Sequence, residues 1–366
     1  KNCKISAASD FKALRKTNII VICVPTPVDS THHPDLKPLI SAAESVAKEL
    51  KKGHLIVVES TIFPGTIEDI VKPILERNGM KAGRDFYLAH CPERIDPGNK
   101  KWDVSNIPRV VGATSKKGLK KASAFYRAFL NGNVKELSTV KAAEAVKITE
   151  NTFRDVNIAF VNELARSFDK MGIDVLEVIN GAATKPFAFM PHFPGCGVGG
   201  HCIPVDPYYL IERAKQNGFN HSFLSLAREI NNSMPDYTVQ LLVDELNNIE
   251  KSIKNANVGI LGLAYKKDVD DIRESPAFDI IKKLKEKNAN LYIFDPYASQ
   301  ENNVSSFDEL LKKSDYLVLV TDHSLFRNMN LMKLKRNGIK IVIDGKNCLN
   351  KDKIIKMGIR YKGIGR

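Results

Sequence analysis

Long hydrophobic runs are missing from this sequence. The longest apolar stretches, residues 18–24, 55–58 and 317–320, fall far short of the ~20 residues that span a bilayer. No membrane partner is therefore expected. No secretory signal opens the chain, so a cytoplasmic protein is the expectation. Cysteines are sparse: Cys3, Cys23, Cys91, Cys196, Cys202 and Cys348 are scattered over 366 residues without a CxxC pair. That spacing excludes a dense disulfide framework. His90-Cys91 and His201-Cys202 lack a second pair at zinc spacing, so no metal is expected. Residues 1–60 also lack the strand, Gly-x-Gly-x-x-Gly and helix with which a dinucleotide-binding sheet normally begins. Only a degenerate version, around Gly259 and Gly262, appears further on.

Hydrophobic residues make up 43% of the chain, enough for real cores, and the length suits two or three domains. Lys plus Arg number 55 against 42 Asp plus Glu, a net charge of +13 that favours anionic partners. The lysines are dispersed, and no basic block is interleaved with aromatics. Nucleic acid is therefore not expected, and a nucleotide-borne substrate fits the charge better.

The patterning divides the chain into three. Buried-strand runs at 18–24, 55–59, 87–91 and 109–112 alternate with amphipathic helices at 39–51, 67–78 and 117–130. Such alternation predicts a parallel sheet covered by helices, with ligands at the carboxyl ends of the strands. Thr26, Thr61 and Glu93 all follow strand ends. Residues 142–170, 174–183, 208–217 and 223–249 read as helices, the last unusually long with Pro235 as a kink or entry point. From residue 257 the strand–helix alternation restarts. The expected fold is α/β: two Rossmann-like parallel-sheet domains joined by a helical central domain with a long connecting helix. The boundaries fall at 1–138, 139–250 and 251–366.

The densest chemistry lies in Gly195-Cys-Gly-Val-Gly-Gly-His-Cys-Ile-Pro-Val-Asp-Pro207. Glycines let backbone amides approach a ligand, and a cysteine beside them can act as a covalent nucleophile. Taken alone, such a cysteine is more simply a buried apolar filler. Lys147 and Asn151 lie i,i+4 on one helix face and can point at one spot; alone they would be a solvated face. Glu93 alone would be a turn carboxylate, Thr61 a helix cap, and Lys266, Asp271 and Arg273 a charged loop.

Together these pieces resemble the UDP-sugar 6-dehydrogenases, from about residue 4 to 365. The segments appear in that family's order: Val24-Pro25-Thr26-Pro27, Glu59-Ser60-Thr61, Cys91-Pro92-Glu93-Arg94, Glu144-Ala-Val-Lys147-x-x-x-Asn151, Asn162-Glu163, the 197–207 loop, and Tyr265-Lys266 through Arg273-Glu-Ser-Pro276. The resemblance implies a four-electron oxidation of a C6 alcohol to a carboxylate, with two NAD consumed in turn. It implies that Cys202 forms a thiohemiacetal and then a thioester, which water hydrolyses. Lys147 and Asn151 would stabilise the oxyanions, Asp206 would work with a bound water in proton transfer, and Glu93 with Thr61 would position or activate the hydrolytic water. Pro25, Thr26, Thr61 and Arg273 would contact the cofactor. Gly197, Gly199 and Gly200 would bring amides against the sugar, and His201, Tyr265, Lys266 and Lys346 are further candidate substrate ligands. Cys196 gains no such support and is expected to be structural.

Two departures stand out. The chain looks like an N-terminally shortened form, without the family's first Gly-rich βαβ unit; if that unit is absent, weak or no NAD binding and low activity are the corresponding expectation. Lys346 stands where the family commonly has arginine. The segments 91–98, 184–187 and 200–207 look most like members acting on UDP-N-acetylhexosamines. Arg94 and His201 are the expected specificity markers. UDP-N-acetylglucosamine is favoured, with the mannosamine epimer close behind and UDP-glucose as an alternative. The chain is expected to be a homodimer built on the 223–249 helix through Leu224, Leu226, Ile230, Leu241, Leu242 and Leu246, with core packing an equal alternative. A UDP-sugar-binding fragment without catalysis is the alternative of another class.

Overall fold

The structure, a computed structural model, describes residues 5–29, 34–95, 99 and 101–366. Cys3, Lys4 and the Asp96-Pro97-Gly98 part of the 91–98 segment lie outside the described residues. The chain divides into two compact units.

In chain order, a 3-10 turn (Phe11–Lys16) leads into β1 (Ile19–Ile22), α1 (Lys37–Lys48) and β2 (Leu55–Val58). A π-helical turn (Ile67–Val71) continues as α2 (Lys72–Glu76), followed by β3 (Tyr87–His90), β4 (Arg109–Ala113), α3 (Lys116–Arg127) and β5 (Val134–Glu136). Then come α4 (Val140–Met171), α5 (Val175–Ala182), α6 (Asp206–Gln216), α7 (Ser222–Asn232) and α8 (Met234–Asn247). The last part holds β6 (Asn257–Leu261), α9 (Pro276–Glu286), β7 (Asn290–Phe294), α10 (Phe307–Lys313), β8 (Tyr316–Leu319), α11 (Ser324–Arg327), α12 (Met332–Arg336), β9 (Ile341–Asp344), α13 (Lys351–Lys356) and β10 (Arg360–Gly363).

The first unit comprises residues 1–152 and 205–221. Its described sheet runs β1-β2-β3-β4-β5. β2 reads Leu-Ile-Val-Val and is buried along its whole length, as a strand covered on both faces must be. Ser115 starts α3 by accepting the Gly118 amide at 3.1 Å. Tyr209 of α6 is buried in the core with Ile62, Ile67 and Val140. One pairing departs from the expected parallel pattern: β3 and β4 are antiparallel, Ala89 opposite Ala113. Parallel neighbours need a crossover, usually a helix. No helix forms among the described residues between β3 and β4, so the chain doubles back.

The second unit comprises residues 153–204 and 222–366. Its described sheet is all parallel, in the order β10-β9-β8-β6-β7. The order reverses at β6, which makes the carboxyl ends of β6 and β8 the crevice where such sheets take ligands. Ser275 caps α9 and Pro276 occupies its first turn, where a missing N–H costs nothing. The expected single helix over 223–249 is instead α7 and α8, because Pro235 has no N–H with which to continue the α7 ladder. Leu224, Leu241, Leu242 and Leu246 are buried within the chain, so core packing accounts for them; Leu226 is exposed.

Candidate functional site

In the first unit, four of the sequence-predicted residues converge. Lys147 and Asn151 project from α4 one turn apart, and Asp206 opens α6. Asn151 Nδ2 donates to Asp206 Oδ2 at 2.5 Å, and Lys147 Nζ donates to the backbone carbonyl of Glu93. Asp206 is buried. Burial pushes its carboxyl up to about 6, against the opposing pull of the Asn151 hydrogen bond and the Lys147 charge. An acid at that value can both give and take a proton near neutral pH.

Glu93 follows the carboxyl end of β3. Its Oε1 accepts the amides of Arg94 and Ile95, each at 2.6 Å, and its own amide donates to the Glu59 carbonyl at 3.3 Å. Its Oε2 lies 2.7 Å from Nη1 of Arg109, a buried arginine at the start of β4. Arg94, expected as a specificity marker, is held instead by Glu150 (Nε to Oε2 at 3.0 Å) and by the Pro108 carbonyl at 2.9 Å. Thr61 is half-buried after β2. Thr26 is half-buried after β1, and its carbonyl accepts the Tyr209 hydroxyl at 2.7 Å; Pro25 beside it is exposed. His90 at the end of β3 is buried, and burial pushes its imidazole down to about 3. It is a neutral core ring, and no cluster of three or more His, Cys, Asp or Glu placed to hold a metal occurs among the described residues.

In the second unit, the glycine loop is packed from below. Gly200 has a φ of +90°, and a Cβ there would lie 2.8 Å from the Tyr265 ring. A Cβ on Gly199 would lie 2.6 Å from Tyr265 Cβ and 2.8 Å from the Glu274 carbonyl, and one on Gly197 2.8 Å from Pro276. The Gly200 amide donates to the Arg273 carbonyl at 3.0 Å. These glycines were expected to offer amides to a sugar. That of Gly200 is spent inside the protein, and the lack of a side chain is required by Tyr265 and Pro276.

Cys202 is half-buried and His201 exposed, whereas Cys196 is buried with its Sγ donating to the Val320 carbonyl at 3.6 Å, consistent with a structural thiol. Arg273 is exposed and forks onto Asp271, 2.9 Å from Nε to Oδ1. That pairing raises the guanidinium above its ordinary value, with smaller contributions from Tyr265 and Cys202. The Lys346 ammonium lies beside Gly195 and Cys196, and Lys266 is half-buried after Tyr265.

Sequence reasoning missed a buried chain of polar groups behind this loop. Arg228 Nη1 donates to Asp155 Oδ1 at 2.6 Å, and Asn231 donates to the same oxygen at 2.8 Å. Asn162 donates to Asn231 Oδ1 at 2.9 Å and accepts the Gly195 amide at 3.0 Å. The acceptor-only carboxylate orients the Asn231 amide, which orients Asn162, which holds the loop. Asn162 carried a faint signal, since Asn162-Glu163 is one of the segments that resemble the family. Arg109 carried none.

A second enclosed set closes the turn after β6. Asp295, fully buried, accepts the Leu263 amide at 2.6 Å, the Ala264 amide at 2.9 Å and the Tyr297 and Ala298 amides at 2.7 and 3.0 Å. His323 Nε2 lies 2.9 Å from its Oδ2. These bonds hold its carboxyl well below the ordinary range despite burial.

The group implied for the first unit is a nicotinamide dinucleotide. Thr26 and Thr61, both half-buried, follow the carboxyl ends of β1 and β2, and the Glu93 carboxylate follows that of β3. This neutral and acceptor set fits the hydroxyl- and amide-bearing portions of that group.

Comparison with known proteins agrees with both units. Residues 1–130 match the NAD binding domain of the UDP-glucose/GDP-mannose dehydrogenase family, residues 141–233 its central domain and residues 259–351 its UDP binding domain. The chain is 36% identical over 359 residues to a UDP-N-acetyl-D-glucosamine 6-dehydrogenase of Pseudomonas aeruginosa, covering 96% of this chain and 85% of the relative. It is 36% identical over 364 residues to a UDP-N-acetyl-D-mannosamine dehydrogenase of Pyrococcus horikoshii, covering 99% and 84%. A solved structure of the UDP-D-ManNAc dehydrogenase of Pyrococcus horikoshii superposes with a TM-score of 0.90 at 37% identity, over 97% of this chain and 83% of that one.

Proposed function

Because the chain belongs to the UDP-glucose/GDP-mannose dehydrogenase family, whose members are NAD-dependent enzymes, we propose that it oxidises the C6 alcohol of a UDP-N-acetylhexosamine to the carboxylate. UDP-N-acetylglucosamine is the favoured substrate, and the mannosamine epimer is close behind, since relatives of both names match equally well. Residues 1–138 serve the cofactor, 139–250 the chemistry, and 251–366 the UDP group. The net reaction converts alcohol, water and two NAD⁺ into carboxylate, two NADH and three protons.

The observation that supports this most is the buried Asn151–Asp206 pair, with Lys147 one turn away, close in sequence to a half-buried cysteine. Three residues separate Cys202 from Asp206, so their Cα atoms are at most about 14 Å apart. NAD, when bound, would supply the hydride acceptor for both oxidations. Asp206, acting through a water, receives the proton of the C6 hydroxyl. The Cys202 thiolate then adds to the aldehyde carbon, and the thiohemiacetal oxygen is held by Lys147 and Asn151 as preorganised donors. Loss of the second hydride leaves a thioester on Cys202. Glu93, with Thr61, positions the water that adds to the thioester carbon, and the C–S bond breaks with the electron pair returning to sulfur. A reactive thiol suits a cytoplasmic setting, and none of the five described cysteines is in a disulfide.

A homodimer is proposed as well. Its support is apolar surface in the second unit: Phe160 on α4 and Phe223 on α7 are 53% and 67% exposed. The deciding assay follows NADH per sugar for each UDP-N-acetylhexosamine. Two NADH per sugar, abolished by Cys202→Ala, is the expected result. One NADH per sugar with Cys202 intact overturns the thioester route.

A further inference from the structure

We infer that Arg109 is a positioning residue for the hydrolytic half of the reaction, acting through Glu93; this rests on the proposed role of Glu93. A carboxylate has about four lone-pair directions, two on each oxygen. Both directions of Glu93 Oε1 are taken by the amides of Arg94 and Ile95 at 2.6 Å. Arg109 Nη1 lies 2.7 Å from Oε2 as an ion pair, with no N–H of Nη1 aligned on that oxygen as a hydrogen bond. The directions on Oε2 are left to water, beside the Arg109 charge. The Glu93 side chain is 38% exposed, so water reaches it, whereas that of Arg109 is 3% exposed. The carboxylate is thus reduced to one accepting oxygen, Oε2, which the Arg109 charge holds in place.

Arg109 is itself fixed. Its amide donates to the Asn133 carbonyl at 2.8 Å, and it opens β4 in the β3–β5 part of the sheet. The Glu93 turn is held from two other sides. Arg94 reaches the Pro108 carbonyl, next to Arg109, and Lys147 holds the Glu93 carbonyl. A guanidinium cannot lose its proton in a protein, so Glu93 always has a cationic partner.

Chemically, the oxygen of the water on Oε2 adds to the thioester carbon and one of its protons passes to Oε2. The C–S bond breaks and Cys202 leaves as thiolate. Two protons reach solvent, one through Glu93 and one from the ionising product carboxyl. Arg109 holds Oε2 in place through the transfer. It touches neither substrate nor thioester.

The test compares Arg109→Met, Arg109→Lys, Glu93→Gln and the double variant Arg109→Met/Glu93→Gln in the intact protein. Two readouts are taken in single turnovers: the rate of NADH appearance, and the mass of the Cys202 peptide after acid quench. Arg109→Met should accumulate acylated Cys202, slow product release about 100-fold, and leave the KM for the UDP-sugar and the two hydride losses near wild type. Arg109→Lys keeps the charge on a different stem, so it should accumulate less. The double variant should be no slower than Glu93→Gln alone, because Arg109 has no carboxylate left to hold. Should Arg109→Met fail to fold, the lysine variant alone must still show acyl-enzyme. Multiplying defects in the double variant, or slowing of the first hydride loss as much as of hydrolysis, overturns the inference. Acyl-enzyme in Glu93→Gln with none in either Arg109 variant overturns the role of Arg109 only. No acylated Cys202 in any variant, Glu93→Gln included, overturns the thioester route itself.

Discussion

Two buried acids of the first unit give the molecule a pH signature. Burial raises Asp206 to about 6 and Glu144 to about 7; Glu144 accepts the Gly65 and Ile67 amides at 2.6 and 2.7 Å. Both sit above their unfolded values of about 4, so the folded chain binds these protons more tightly. The stability they contribute is fully present below about pH 4 and is lost as pH rises through about 6 and about 7 respectively. Asp206 alone then accounts for on the order of 3 kcal/mol. In Asp206→Asn this component should vanish, so its melting temperature should gain on wild type as pH rises from 4 to 6. Parallel curves for the two proteins would refute the assignment. Glu144→Gln should flatten the profile up to about pH 7, although its single oxygen leaves one buried amide without an acceptor, a loss of about 1–3 kcal/mol at low pH. The Asp206 pair was half legible in the sequence. Spacing put Lys147 and Asn151 on one face, but the burial that tunes Asp206 depends on chain distant in sequence. Arg109 shows the limit more plainly, because an arginine before a strand looks the same whether it faces solvent or Glu93.

The glycine loop behaves as an element held from behind. Gly199→Ala should cost about 1–3 kcal/mol by overpacking, since its Cβ would meet Tyr265 and the Glu274 carbonyl. Gly172, at a φ of +70° with nothing within 4 Å of an added Cβ, should cost about 1 kcal/mol when made alanine. Urea midpoints of the two variants check the order, and equal losses would remove the packing explanation. Asn162→Ala should cost a further ~1–3 kcal/mol by stranding the buried Gly195 amide. Cys202 alkylation in that variant should change rate, since the loop loses its anchor. The strand–helix order of both sheets was readable from hydrophobic periodicity, and so was the long α4. The reversal of β4 was not, because a lone strand carries no mark of its direction. The α7–α8 break was signalled by Pro235, whose choice between kink and start is settled by packing. β5 and β10, with three and four residues, were too short to show a period.

For the molecule as a whole, the charge of +13 and the exposed phenylalanines make separate predictions. Raising salt from about 20 to about 500 mM should lower kcat/KM for the UDP-sugar while leaving kcat nearly constant, because screening acts on encounter with the diphosphate. A salt-independent kcat/KM would show that the dispersed lysines do no steering. Sedimentation at micromolar concentration should give a dimer, and Phe160→Asp should shift it towards monomer with an unchanged melting profile for the dissociated chain. The proposed reaction uses two diphosphate ligands, NAD and a UDP-sugar. In the second unit, the amides after β6 that a dinucleotide's phosphates would seek are already satisfied by Asp295, locked against His323. That sheet carries a resident anion in place of a visiting one. A diphosphate arriving at that turn, from either ligand of the proposed reaction, would meet a filled donor set and a like charge, so its phosphates would have to be held by other groups.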